Sequence, residues 1–331
     1  MASIGIIANS ASGKDIRRLV AHATVFNNNE KTNIIKRVVL SAQELGVDKV
    51  IIMPEFYQMG SVVKNRLELS KELKCEIEIA DFELDHDLTD SVKAIKYMED
   101  KGVGCVVTLG GDGTNRAVAK AVKNVPLITI STGTNNVYPD MIEGTVAGMA
   151  AAVVASKRFD IESLTTKDKR IEIYKDGDLV DIALVDAVVT LETFIGVKAV
   201  WNYENIKAVI VARSHPASIG FSSIVGMRQI INPDDDFGAY VELNEKGKSV
   251  ISPVSVAALR KIVASDPVIL KLGEEYEFKA SFRGSIALDG EKEILFDEGD
   301  TFIFKITKNG PYRVDVVKTL ETAQKAGFFV K

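Results

Sequence analysis

The rhythm of apolar positions changes once along the chain, near residue 157. Before it, short apolar runs at 3–8, 49–53, 75–79, 103–109 and 125–130 alternate with stretches of helical spacing. Runs that short suit strands covered on both faces, and their alternation with helices predicts βαβ units around a parallel, Rossmann-like sheet. The spacing places helices from about residue 15, over 34–45, from Pro54 to about 73, and over 87–100 with Asp87 and Thr89 as caps. Two more begin at Thr114 or Asn115 as N-cap, and at Pro139 in the first turn, the latter running to about 156. Residues 26–32 (FNNNEKT) read as a polar loop. After 157 the apolar runs shorten and alternate, broken at Asp176-Gly177, Asp289-Gly290 and Asn309-Gly310. Those dipeptides are hairpin signals, so this half is expected to be mainly antiparallel β. A last helical stretch covers 320–328. The expected division is an α/β nucleotide-binding domain at 1–156, a β-rich domain for substrate and oligomerisation at 157–317, and a tail at 318–331 that packs back on the first domain.

Three polar loops follow expected strands of the first half, at the carboxyl edge where parallel sheets take ligands. The first holds Asn9, Ser10, Ser12, Gly13 and Lys14; the second is Gly110-Gly111-Asp112-Gly113-Thr114; the third runs from Ser131 through Thr134, Asn135 and Asn136. The first lacks the spacing of a Walker loop, but Lys14, Arg17 and Arg18 supply positive charge beside it. In the second, three glycines let the backbone turn tightly and approach a ligand, and a helix N-terminus follows. Bared N–H groups and a helix start attract phosphate. Asp112 stands in the middle of that nest, where an acid must meet a metal or a proton.

Composition narrows the field. The 331 residues are 46% hydrophobic and 26% charged, with net charge −5. That balance is ordinary for a globular protein and does not suggest nucleic-acid binding. No apolar run reaches the length of a membrane span, and the N-terminus lacks the pattern of a signal peptide. Cys75 and Cys105 sit in apolar runs and are expected to be buried and reduced, in a cytoplasmic protein. The histidines are scattered, and no protein-held metal site is expected.

The run 103–123, an apolar strand, GGDGT and an amphipathic helix, resembles the signature joining NAD kinases, diacylglycerol and sphingoid lipid kinases and, more distantly, 6-phosphofructokinases. The first loop resembles the NPxSG element of lipid kinases and of acetoin-catabolism AcoX proteins, with Ser10 in place of proline. Residues 131–136 resemble their GTxN element. In the second half, Ala183-Leu184-Val185-Asp186-Ala187-Val188-Val189 is similar to the ALNEVVI strand of NAD kinases, with Val185 and Asp186 replacing the Asn–Glu pair that contacts the acceptor nucleotide. Ser214-His215-Pro216-Ala217-Ser218-Ile219-Gly220-Phe221-Ser222 stands where NAD kinases carry SPTGSTAYS. Asp289-Gly290-Glu291 is similar to a DGQ or DGE hairpin, although a plain turn explains it equally. Residues 191–201 resemble an AcoX-like block, read as core packing with an aromatic available for base stacking.

The resemblance covers most of the chain in the right order and points to the ATP-NAD kinase/AcoX branch. It implies a two-domain kinase in which Asp112 is the base that activates an acceptor hydroxyl. Asn9, Ser12, Gly13, Gly110, Gly111, Gly113, Thr114, Thr134, Asn135, Asn136, Asp186 and Ser218 would then contact nucleotide. It also implies ATP as donor, Mg²⁺ arriving on ATP, NAD(H) as acceptor, and a homo-oligomer, dimer or tetramer. Two alternatives stay open: a non-catalytic nucleotide-binding regulator of the AcoX kind, and a lipid kinase.

Overall fold

A computed structural model describes residues 1–10, 26–133, 135–193, 203–244 and 247–330. Five parallel strands, β1 (Ala2–Ala8), β2 (Val47–Ile52), β3 (Glu76–Ile79), β4 (Cys105–Gly110) and β5 (Leu127–Ser131), form the first sheet in the order β3-β2-β1-β4-β5. Helices cover both faces. On one side α1 (Asn28–Glu44), α2 (Met59–Leu69) and α5 (Gly144–Ala155) bury Ile35, Val38, Val63 and Ala151 against the sheet. On the other, α3 (Thr89–Asp100) and α4 (Asp112–Ala119) contribute Ile95, Met98 and Val118. The N-terminal region is thus α/β, as the apolar runs require. Among the described residues no helix is long and apolar enough to cross a membrane.

α1 and α5 pack unusually close. A Cβ on Gly148 would stand 2.4 Å from the Val38 carbonyl oxygen and 2.1 Å from Ser41 Oγ. A serine side chain can turn away, but a helix backbone cannot. Gly148→Ala is therefore expected to destabilise the fold by about 1–3 kcal/mol, the usual effect of overpacking, and urea unfolding would measure it.

The C-terminal region is antiparallel. A six-stranded sheet runs β14-β11-β10-β9-β16-β17, formed by β9 (Asp186–Thr190), β10 (Ile206–Val211), β11 (Phe237–Glu242), β14 (Val268–Lys271), β16 (Gly284–Leu288) and β17 (Glu291–Phe296). A four-stranded sheet, β15-β18-β7-β8, is formed by β7 (Arg170–Lys175), β8 (Asp178–Ala183), β15 (Glu275–Lys279) and β18 (Thr301–Thr307). The two share a core of Ile171, Ile173, Ile210, Ile286, Phe302 and Phe304. Asp176-Gly177 and Asp289-Gly290 turn true hairpins, β7–β8 and β16–β17, with positive φ at both residues of each pair. That is the twist a two-residue hairpin needs.

Several sequence expectations are corrected. Asn309-Gly310 is not a hairpin. It hands the chain from β18 to β19 (Tyr312–Val314), which joins the first sheet parallel to β5 and antiparallel to β6 (Thr165–Lys167). The last helix, α8 (Val316–Lys325), begins earlier than the apolar spacing indicated because Asp315 caps it, and Val316 and Ala323 join the core of the first sheet. Residues 26–32 are not all loop, since α1 starts at Asn28, with Asn27 accepting the Glu30 N–H at 2.8 Å. α2 starts at Met59 rather than Pro54, after a turn in which the Glu55 carboxylate accepts the N–H groups of Tyr57 and Met59. α3 starts at Thr89, so Thr89 is inside the helix, and the Asp87 carboxylate accepts its N–H at 2.7 Å. Pro139 does not begin a helix, because its neighbour Asp140 bonds to the edge of β5 and α5 starts at Gly144 under a Glu143 cap. α4 begins at Asp112, with Gly111 at the N-cap position and no side-chain cap, so Thr114 and Asn115 lie within its first turn. Cys75 and Cys105 are buried free thiols, and burial pushes the Cys75 thiol up to about 11.

Candidate functional site

Register brings the loops together. Ala8 pairs with Leu109 and Gly110 with Ser131, so β1, β4 and β5 end side by side. Gly110 has no room for a side chain, as its Cβ would lie 2.5 Å from that of Thr114. Thr114 Oγ1 accepts from Asn9 Nδ2 at 3.2 Å, which ties the first loop to the second. The buried Lys31 ammonium donates to the Asn9 carbonyl at 2.8 Å. Asn136 Nδ2 donates to Ser131 Oγ at 2.8 Å, and its Oδ1 lies 2.9 Å from where a Cβ of Gly111 would be. Asn115, absent from the sequence-based candidates, locks the turn from inside: it accepts from Thr108 Oγ1 at 2.7 Å and donates to the Gly111 carbonyl at 2.9 Å.

Asp112 opens α4 beside this cluster. Its carboxylate accepts the main-chain N–H groups of Val137, at 3.1 Å to each oxygen, and Tyr138 at 2.8 Å. The residue as a whole keeps some exposure, yet its carboxyl is packed round by protein. Burial first, and the neighbouring Asp289 carboxylate second, push its pKa up to about 7, against the pull of the two N–H groups and of Arg213.

The C-terminal region supplies two further acids. Asp289, at the β16–β17 hairpin, accepts the N–H groups of Leu184, Val185 and Asp186 at 2.8–3.2 Å. Asp186, at the start of β9, is 5% exposed and takes one N–H, from Ser222, at 3.1 Å. Among the described residues its second oxygen has no hydrogen-bond partner, and neither does the buried hydroxyl of Ser222. Burial chiefly, then the charges of Asp289 and Asp112, hold Asp186 well above the usual carboxylate range. Buried polar groups in folded proteins are nearly all satisfied, so these two atoms and Oδ1 of Asn135, also without a partner among the described residues, are candidate contacts for a ligand. Val185 is buried in a small apolar cluster with Ala119, Tyr138, Ile182 and Leu184, which seats α4 against the β8–β9 corner. Among the described residues, no three His, Cys, Asp or Glu side chains converge as metal ligands.

Ser218 lies in a turn, its N–H on the His215 carbonyl at 3.0 Å. Ser12, Gly13 and Thr134 lie outside the described residues, as do Lys14, Arg17 and Arg18. Sequence reasoning missed Ser222 as a site residue, although it is the last serine of the SPTGSTAYS-like segment. It also missed Arg116, Tyr138 and Arg213, for which no local pattern gives a signal.

Residues 4–159 match the model of the ATP-NAD kinase N-terminal domain, and residues 169–309 match that of the acetoin catabolism protein X C-terminal domain. Over 97% of its length the chain is 32% identical to acetoin catabolism protein X of Cupriavidus necator, covering 92% of that protein. A crystal structure of UDP-GlcNAc 2-epimerase from Neisseria meningitidis bound to UDP-GlcNAc aligns with 47% of this chain and 39% of its own, at 18% identity and a TM-score of 0.25, too low to carry an argument. The near full-length relationship and the two domain matches, in the same order as the two regions of the fold, make this chain a member of the acetoin catabolism protein X family, built on an ATP-NAD kinase-type N-terminal domain.

Proposed function

We propose that this protein is an ATP-dependent small-molecule kinase that phosphorylates a ribose hydroxyl of NAD(H), with Asp112 as general base. The observation that carries the reading is the carboxyl of Asp112 at the glycine turn, with a pKa of about 7. A base poised near the working pH is what proton abstraction from a hydroxyl requires. Phosphoryl transfer otherwise asks for positioning and charge neutralisation. The N–H groups of residues 110–114 hold the ATP phosphates, and Mg²⁺ carried on ATP neutralises charge there. Asp186 and Ser222, with their unpartnered oxygens, receive donors of the acceptor between the two regions.

The pH dependence follows. Asp112 acts only when ionised, so kcat/KM rises with pH through about 7 and levels off above it. A bell whose acid limb lies near 4 would exclude Asp112 as the base. The direct test offers ATP·Mg²⁺ with NAD⁺ or NADH and detects NADP(H) by enzymatic cycling, with Asp112→Asn as control.

One observation favours a second reading, a nucleotide-binding regulator without turnover. Val185 places an apolar side chain where NAD kinases carry an amide, and Asp186 behind it is driven toward its neutral form. Calorimetric binding of ATP or NAD⁺ with no product would select that reading.

A further inference from the structure

Behind Asp112 lies a buried polar network that the proposed chemistry does not use. Tyr138 gives its main-chain N–H to Asp112 and its phenol O–H to Asp168, at 2.7 Å. Tyr138 is 1% exposed and Asp168 is fully buried. Asp168, between β6 and β7, also accepts from Arg313 Nε, at 3.1 and 3.3 Å, and pairs with Arg213 Nη2 at 3.3 Å. The Arg213 guanidinium lies over the Tyr138 ring, 4.7 Å from its centroid, and its Nε has no hydrogen-bond partner. Two guanidinium groups on one buried carboxylate are weak evidence of stability, because desolvation offsets much of the attraction. What the arrangement does is hold one ring from three elements: the β6–β7 turn, the end of β10 and strand β19.

We infer that Tyr138, clamped by Asp168, Arg213 and Arg313, is a positioning residue for Asp112, fixing where the N–H groups of Val137 and Tyr138 point and thereby the orientation and ionisation of that carboxyl. The link runs from the C-terminal region to the glycine turn through one side chain. Its catalytic consequence rests on the reading of Asp112 as base; the clamp itself does not.

The groups facing Asp112 set the sign. Asp289, from the β16–β17 hairpin, opposes its ionisation, and Asp186, from β9, shares a mutual repulsion with it. The N–H groups of Val137 and Tyr138, and Arg213 from the end of β10, favour the ion. With the carboxyl still buried, loosening Tyr138 or removing Arg213 takes away partners that favour the ion, so Asp112 becomes a weaker acid.

The test uses Tyr138→Phe, Arg213→Gln and the conservative Arg213→Lys in the full chain. The ¹³C carboxyl resonance of Asp112, assigned by its loss in Asp112→Asn, is titrated in each. The expected result is a midpoint raised by about one pH unit in Tyr138→Phe and Arg213→Gln, with Arg213→Lys returning toward the parent. Where turnover is present, kcat falls and its acid limb moves up by the same interval, while KM for ATP stays put. Unchanged midpoints in the folded variants would overturn the inference. Tyr138→Phe removes a single oxygen and decides the matter if Arg213→Gln does not fold. If no acceptor is phosphorylated at all, the kinase reading fails, while the titration still judges the clamp.

Discussion

Asp112→Asn is expected to lower turnover by about 10²–10⁴-fold, the usual contribution of a positioned base, with little change in KM for ATP. Asparagine keeps the shape and can still accept an N–H from Val137 or Tyr138, so the third loop stays in place. What it loses is the ability to take a proton. The same substitution reports on stability with a definite sign. In the folded state burial raises the Asp112 carboxyl from its ordinary 3.8 to about 7, so it binds protons that the unfolded chain releases. Its contribution to stability is present below about pH 4 and is lost as pH rises through about 7. Asparagine carries no such charge. Urea unfolding at pH 8 should therefore find the variant at least as stable as its parent, the signature of a site strained for function. A stable variant with full activity would remove Asp112 from the chemistry.

The largest effect on stability is expected at Arg116. This α4 side chain is 1% exposed and meets Glu293 at 2.7 Å, Asp181 at 3.5 Å and Asp289 at 3.7 Å. It joins the helix of the glycine turn to both sheets of the C-terminal region. Arg116→Met fills much of the same volume but leaves the buried Asp289 without its cation and Asp181 with Lys120 alone, at 2.8 Å. Breaking such a pair from one side costs about 3–5 kcal/mol, a large share of the roughly 5–15 kcal/mol that holds a domain. The cost has its own pH dependence. Asp289 already lies above the usual carboxylate range because of burial, and Arg116 is the charge that pulls it down. Without Arg116 its folded pKa climbs further, so the deficit is greatest at neutral and alkaline pH and shrinks as the acids protonate. Unfolding midpoints at pH 5 and pH 8 would show the difference. An equal deficit at both would mean the guanidinium acts by packing alone.

Much of this protein is legible before folding. The switch in apolar period near 157 announces a change from parallel α/β to antiparallel structure, because burial on two faces and on one face leave different spacings in a chain, although β6 and β19 beyond it still join the first sheet. The glycine turn at 110–113 declares itself by its three glycines, of which Gly110 leaves no room for a side chain beside Thr114. Asp112 stands out because an acid in a phosphate nest demands a reason. Helix starts were less legible. Asn28 and Gly144 open helices under caps of Asn27 and Glu143, and a polar run does not show which of its oxygens will face a bared N–H. The turn at Asn309-Gly310 has the composition of a hairpin, yet the strand beyond it crosses to another sheet, where Arg313 pairs with Leu127 of β5 and with Thr166 of β6.

Sequence alone thus determined the fold class, an α/β region followed by an antiparallel one, and singled out Asp112 as a candidate, since these follow from local conformation and from the period of burial. Only the tertiary structure decided the state of that acid. Its pKa depends on burial first and then on Asp289 and Arg213, and its hydrogen-bond donors depend on Tyr138, held by Asp168 and Arg313. The same holds for Arg116 and Glu293, 177 residues apart in the chain and 2.7 Å apart in the fold. Electrostatic effects act through space and grow with burial, and neither distance nor burial between remote residues is written in local order.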